Sequence, residues 1–193
     1  MKRILFLLWG LLVFYQVGAQ NRKIAFEKTT LREALNKASS ERKLTFVDCY
    51  TEYCGPCKTM DALVFTLDSV ADFFNSTFVN VKLDMLSEDG KQYADTYKIG
   101  AYPSFLLLDH EGKIVYKFVG GKTADVFMAE IRKGMRPDNR VARMNETYAS
   151  GKYSNDFLRE YVQLKLQLLE RKECLRLGKE YFDRLTSRER VKA

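Results

Sequence analysis

Apolar residues along the chain recur with two different periods, and the changes of period mark out its elements. In "TTLREALNKASSERK", Leu31, Ala34, Leu35 and Ala38 follow at spacings of three and four behind Thr29 and Thr30, the pattern of a short amphipathic helix with a threonine cap. "LTFVDCY" is a compact β-branched and aromatic run that predicts a buried strand from Leu44 to about Cys49. Helical spacing returns with Met60, Leu63, Val64 and Leu67 on one stripe, is interrupted near Thr66, and resumes in "SVADFFN". "FVNVKLDM" alternates as a second strand, Phe78 to Asp84, and a Ser87 cap leads to another short helix in "KQYADTYKI". Two apolar runs in "SFLLLDHEGKIVYKFVGG" flank Asp109-His110-Glu111-Gly112, a hairpin whose glycine suits a positive φ. A last helix, Thr123 to Gly134, completes an α/β plan in which a central sheet is covered on both faces.

Past "GMRPDNR" no further strand is visible. "VARMNETYASGKYSNDFLREYVQLKLQLLERKECLRLGKEYFDRL" predicts two or three helices, with turns near Ala149 to Lys152 and near Arg171. Aromatic and small residues at helical spacing resemble helix-pair repeats, yet fewer than two units are present and a solenoid needs about three. This C-terminal α-helical extension should therefore pack on the main domain or on a partner.

The first residues change the picture of where the chain works. "MKRILFLLWGLLVFYQVGAQ" has a basic start, an apolar run from Ile4 to about Tyr15, and small residues at Gly18 and Ala19, the pattern of a cleaved secretory signal. A spanning anchor would need about 20 predominantly apolar residues, more than this run supplies. The expected division is a signal peptide at residues 1–19, an α/β domain at 20–136 and a helical extension at 137–193. The product is expected outside the cytoplasm, in a bacterial periplasm, with no integral membrane segment after cleavage.

Charge is uneven. The formal +7 divides into +2 for residues 1–19, −2 for residues 20–131 and +7 for residues 132–193. In the extension the signs alternate along helices, which describes a solvated face better than a nucleic-acid site, and export fits poorly with nucleic acid as a partner.

"FVDCYTEYCGPCKTM" carries the candidate chemistry, because Cys54 and Cys57 are separated only by Gly55 and Pro56. Zinc needs four ligands, and the chain adds only His110 at a turn and the isolated Cys49 and Cys174; no metal is expected. A bridge across two residues removes little entropy from the unfolded chain, so a structural staple gains little. Redox work fits better: a helix starting near Pro56 would put Cys54 at its N-terminus, where free N–H groups and the dipole favour a thiolate. Cys54 is then the expected nucleophile. Cys57, one turn inside, would resolve the mixed disulfide.

Asp48 shares a strand face with Leu44 and Phe46, where an unpaired charge is costly. Two accounts stand open: an exposed strand-end carboxylate, or a general base for Cys57 with its pKa raised by desolvation. Cys49 should face the other way as a small buried hydrophobe, Cys174 should pack among helical leucines, and His110 should be a solvated turn residue.

"FVDCYTEYCGPCK" resembles the thioredoxin family's strand, Cys-Gly-Pro-Cys turn and helix. "VKLD" around Lys82 and Asp84, "IGAYPSFLLLDHEGK" with Pro103 in the family's cis-proline position, and "VGG" before the final helix match in order, so the resemblance covers roughly Lys23 to Met135. It implies a thioredoxin fold, a redox-active Cys54–Cys57 disulfide as the only cofactor, Asp48 as buried acid with Lys82 beside it, and Pro103 next to the disulfide. It also implies a substrate groove bordered by Tyr53, Gly55, Pro56, Tyr102, Pro103 and Ser104, where an extended peptide could pair with the backbone around the proline. Tyr53 replaces the family's usual tryptophan, Cys49 and Tyr50 its usual aromatic pair, and Tyr102 is bulkier than the usual residue before the proline. These departures border the groove and leave the redox chemistry intact.

The expected function is an extracytoplasmic thiol-disulfide oxidoreductase that reduces protein disulfides. Its expected partners are proteins bearing disulfides or thiols and a membrane electron-transfer donor. A disulfide oxidant or isomerase is the alternative of the same chemistry, because direction depends on redox poise. A non-catalytic adaptor acting through the helical extension is the alternative of a different kind.

Overall fold

The computed structural model describes residues 22–186, and the expected signal peptide lies outside them. A two-residue strand, β1 (Phe26–Glu27), precedes α1 (Leu31–Glu41) and β2 (Leu44–Tyr50). There follow α2 (Gly55–Leu63), α3 (Asp68–Thr77), β3 (Phe78–Asp84), α4 (Glu88–Thr96) and the hairpin of β4 (Ser104–Leu108) and β5 (Ile114–Val119). After α5 (Ala124–Gly134) the extension forms α6 (Arg140–Ala149), α7 (Asn155–Gln167) and α8 (Arg171–Arg184).

Local chemistry accounts for the boundaries. Thr30 and Glu33 form a reciprocal capping box at the start of α1, Ser87 caps α4 through the Gly90 amide, and Asn139 and Ser154 cap α6 and α7. Gly112 turns the β4–β5 hairpin with φ 78°.

The strands lie in the order β1-β3-β2-β4-β5, parallel from β1 to β2 and antiparallel from β2 to β5. Alternation along β2 sends Phe46 to an apolar cluster that includes Met60, Phe74, Phe105 and Phe127, and Val47 and Cys49 to a second cluster with Leu31, Ala34, Val81 and Leu106. The sheet is thus buried on both faces, which is the thioredoxin fold with a C-terminal helical region. Val141, Met144, Leu158 and Tyr161 of the extension join the first cluster, so α6 to α8 pack on the main domain along the β5 edge.

Three elements differ from the sequence reading. β1 is too short to show any alternation, and its position comes from pairing with β3. The chain leaves the helix after Leu63, so Leu63 and Leu67 are exposed while Phe65 enters the core in their place. α4 begins three residues earlier than "KQYADTYKI" because Ser87, as its cap, fixes the start.

Candidate active site

β2 ends at Tyr50, and the chain reaches Cys54 through one turn before α2 begins at Gly55. Cys54 and Cys57 are joined in a disulfide. Cys54 is the N-cap residue, and its Sγ accepts a hydrogen bond from the Cys57 amide at 3.1 Å. Pro56 fills the first turn, where a missing N–H costs nothing. Cys57 is the more buried sulfur, 3% exposed against 9% for Cys54, and Gly55, Pro56 and Tyr53 are exposed around them.

The sheet brings a second segment to the same end. Cys49 of β2 pairs with Ser104 of β4, so Tyr102 and Pro103, joined by a cis peptide bond, stand beside the exit from β2. The loop after β5 ties the two together: the Gly120 amide donates to the Pro103 carbonyl at 2.8 Å, and Gly121 lies against Pro56. Tyr102 is on the surface, whereas the Ser104 side chain is buried with its hydroxyl donating to the Ala101 carbonyl at 2.7 Å. Ser104 is fully buried and its strand is paired on both edges, with Cys49 and with Val119, so it lies beneath the groove and not on it, contrary to the sequence expectation.

Asp48 is 1% exposed, which removes the account of it as a solvated strand-end carboxylate. Its Oδ2 lies 3.2 Å from Lys82 Nζ, and its Oδ1 has no hydrogen-bond partner among the described residues. Burial pushes its pKa from 3.8 up to about 7; Lys82 opposes that rise and the Asp61 charge adds to it. For Lys82, burial works against the charged form, but the carboxylates of Asp48 and Asp61 outweigh it and hold its pKa above the usual value. The rings of Tyr50 and Phe26 also face Lys82, at 4.7 and 5.4 Å from Nζ.

Asp61 was missed in the sequence. It sits one helical turn beyond Cys57, on the helix face that carries the buried sulfur, and that spacing was the available signal. Cys49 points to the opposite face, fully buried, and its thiol pKa is pushed up by burial. Cys174 is half-buried on α8 against the Val162 carbonyl of α7, and His110 is exposed on its turn.

A family model described as Thioredoxin matches residues 22–133. The chain belongs to the thioredoxin family. Thioredoxin H1 of Arabidopsis thaliana is 37% identical over 93 residues, spanning 48% of this chain and 75% of that protein. A candidate disulphide-isomerase from Bacteroides thetaiotaomicron, known from a solution structure, is 40% identical, with 62% of this chain and 99% of that chain aligned at a TM-score of 0.57. A thioredoxin from Thermus thermophilus, 21% identical with a TM-score of 0.51 over 58% of this chain and 86% of its own, shares the fold. With its cysteine pair at the head of α2, this member of the family is a thioredoxin-like thiol-disulfide oxidoreductase. The helices α6 to α8 lie beyond the matched residues.

Proposed function

We propose that the chain reduces disulfides of protein substrates outside the cytoplasm, using the Cys54–Cys57 dithiol as its electron store. The observation that carries the reading is the cysteine pair at the head of α2, a capping cysteine with a more buried partner, and a buried carboxyl with its pKa raised to about 7, Asp48, linked to the same helix through Lys82 and Asp61. In the reduced protein the Cys54 thiolate, favoured by the α2 N-terminus, attacks one sulfur of the substrate disulfide. A Cys54–substrate disulfide forms and the first substrate sulfur leaves as a thiolate that takes a proton. Cys57 then gives its proton to Asp48 and attacks Cys54 Sγ, forming the internal disulfide and expelling the second substrate thiolate. Two electrons pass from the dithiol to the substrate.

Lys82 holds Asp48 in place, and the exposed Tyr53, Gly55, Pro56 and Tyr102, with the backbone around Pro103, form the rim on which an extended substrate would lie. No cofactor beyond the cysteine pair is needed for these steps. Each cycle ends oxidised, so a reductase in an oxidising compartment needs a donor, for which we propose a membrane electron-transfer protein. Export is supported by the leader-like residues 1–19. Among the described residues no helix is long and apolar enough to cross a membrane.

Cys57→Ser removes the resolving thiol and should accumulate substrates on Cys54 as mixed disulfides that a reductant releases. Absence of adducts in cells where the variant is folded and exported would overturn the reading and favour an adaptor role for α6 to α8. The 40% identity to a candidate disulphide-isomerase favours a second reading, isomerase or oxidant. A Cys54–Cys57 reduction potential well above that of the glutathione pool would decide for it.

A further inference from the structure

The helical extension touches the main domain at a point that leads directly to the substrate rim. α7 and α8 meet at Leu168 to Glu170, and this turn rests on Tyr97 to Gly100, the segment that runs into Ala101-Tyr102-Pro103. Glu170 is 4% exposed and accepts a hydrogen bond from Lys117 Nζ of β5 at 2.8 Å. Lys165 Nζ of α7 stands 3.1 Å from the other Glu170 oxygen as an ion pair without hydrogen-bond alignment. Lys117, whose side chain is fully buried, also donates to the carbonyls of Tyr97 and Lys98 at 3.0 and 2.7 Å.

Shape locks the same contact. A methyl group on Gly100 would meet the Leu169 carbonyl at 2.0 Å, so the two backbones approach as only glycine allows. Lys98 and Leu169, one on each side of the contact, both have positive φ, 53° and 54°. Residues other than glycine hold that conformation only where their surroundings determine it. β5 therefore braces the segment at both ends, with Lys117 on Tyr97 and Lys98, and with the loop that follows it on Pro103 through the Gly120 amide.

We propose that Leu169 and Glu170 are positioning residues for the substrate rim, so that the extension sets how tightly the Tyr102–Pro103 segment is presented to an extended substrate. Glu170 orients Lys117, Lys117 holds two carbonyls just upstream of the rim, and Leu169 covers Gly100. The inference rests on the proposed role of the rim in substrate binding. A binding edge held in place before the substrate arrives spares the complex the cost of ordering it, so a loosened edge weakens binding.

Two variants of the full chain separate this from a purely structural role. Gly100→Ala drives the contact apart without altering any charge. Lys117→Met combined with Glu170→Leu removes the donor from the Tyr97 and Lys98 carbonyls without leaving either member of the Lys117–Glu170 pair unpartnered. In both, amide hydrogen exchange between Lys98 and Phe105 should quicken relative to β2 and β3. KM for a disulfide-linked peptide should rise several-fold, with kcat and the rate on a small aromatic disulfide nearly unchanged. Exchange over those residues equal to the unaltered chain, in variants that remain folded, would overturn the proposal. Tyr102→Ala serves as the reference: if it leaves the peptide KM unchanged, the rim reading fails, and the exchange measurement still decides whether the extension fixes the segment.

Discussion

Two buried charged side chains stand on opposite faces of one sheet, and their surroundings differ in a way that separates chemistry from construction. Asp48 in β2 faces the cluster with Phe46 and Phe105, with one oxygen near Lys82 and the other without a partner among the described residues. Lys117 in β5 pairs with Leu106, on the face of the other cluster, and satisfies all three of its donors on Tyr97, Lys98 and Glu170. A buried charge with complete partners gains from staying fixed. Asp48 is buried more than its one ion pair can offset, which brings its pKa to about 7 and suits a group that must take and return a proton. Lys117 belongs to the fastening of the extension, and Asp48 has the protonation balance that the proposed redox role asks of it.

Removing one partner from each cluster is the strongest way to break that comparison. Glu170→Ala leaves the fully buried Lys117 without its counter-charge, and losing one partner of a buried pair costs about 3–5 kcal/mol. Replacing both, as Lys117→Met with Glu170→Leu, should recover only part of the loss: no member of the Lys117–Glu170 pair is left alone, but the Tyr97 and Lys98 carbonyls lose their donor and Lys165 loses the Glu170 carboxylate. Denaturant midpoints of the three proteins measure this. A loss below about 1 kcal/mol for Glu170→Ala would place the cluster with surface pairs, whose contribution is that small.

Asp48 should respond in the opposite sense. Its folded pKa is raised from 3.8 to about 7, so the folded protein keeps a proton that the unfolded chain has already lost. Its contribution to stability is fully present below about pH 4, near the unfolded value, and declines as pH rises through about 7. At about 1.4 kcal/mol per pKa unit the decline amounts to a few kcal/mol. Asp48→Asn should flatten the stability profile of the oxidised protein between those pH values and make it more stable than the unaltered chain at pH 8. Parallel profiles would show that Asp48 does not titrate in that window.

The sequence displayed one of these clusters and concealed the other for physical reasons. Asp48 stood out because a carboxylate in "LTFVDCY" contradicts its strand, which already suggested a base for Cys57, and Lys82 as its neighbour came with the family resemblance. Lys117 in "KIVYKFVGG" is the same kind of contradiction, yet its partner Glu170 is 53 residues away, in an extension beyond the matched family. Periodicity gave the helices and the long strands. It could not give β1, whose two residues owe their place to pairing, or the exposure of Leu63 and Leu67, which follows from the end of α2. Asp61 escaped notice because a surface carboxylate on a helix needs no explanation until Lys82 is seen between it and Asp48.

Asp61 provides the finest test of the comparison, because it is the exposed member of the Asp48–Lys82–Asp61 cluster, whereas Lys117, Glu170 and Lys165 are all buried. Its side chain is 44% exposed, so it can contribute little to stability directly, and Asp61→Asn should change the unfolding free energy by less than about 1 kcal/mol. Its effect on Asp48 is separate. The Asp61 charge raises the Asp48 pKa by repulsion, and its carboxylate also draws on the Lys82 ammonium that would otherwise serve Asp48 alone. Neutralising Asp61 removes the repulsion and leaves Lys82 to Asp48, and both changes favour the ionised form. The Asp48 titration, followed by its carboxyl signal in NMR, should therefore move to lower pH in Asp61→Asn, while Lys82→Met should move it higher. Shifts in the same direction would show that the ammonium is not divided between the two carboxylates, and no shift in either variant would show that Asp48 owes its titration to burial alone.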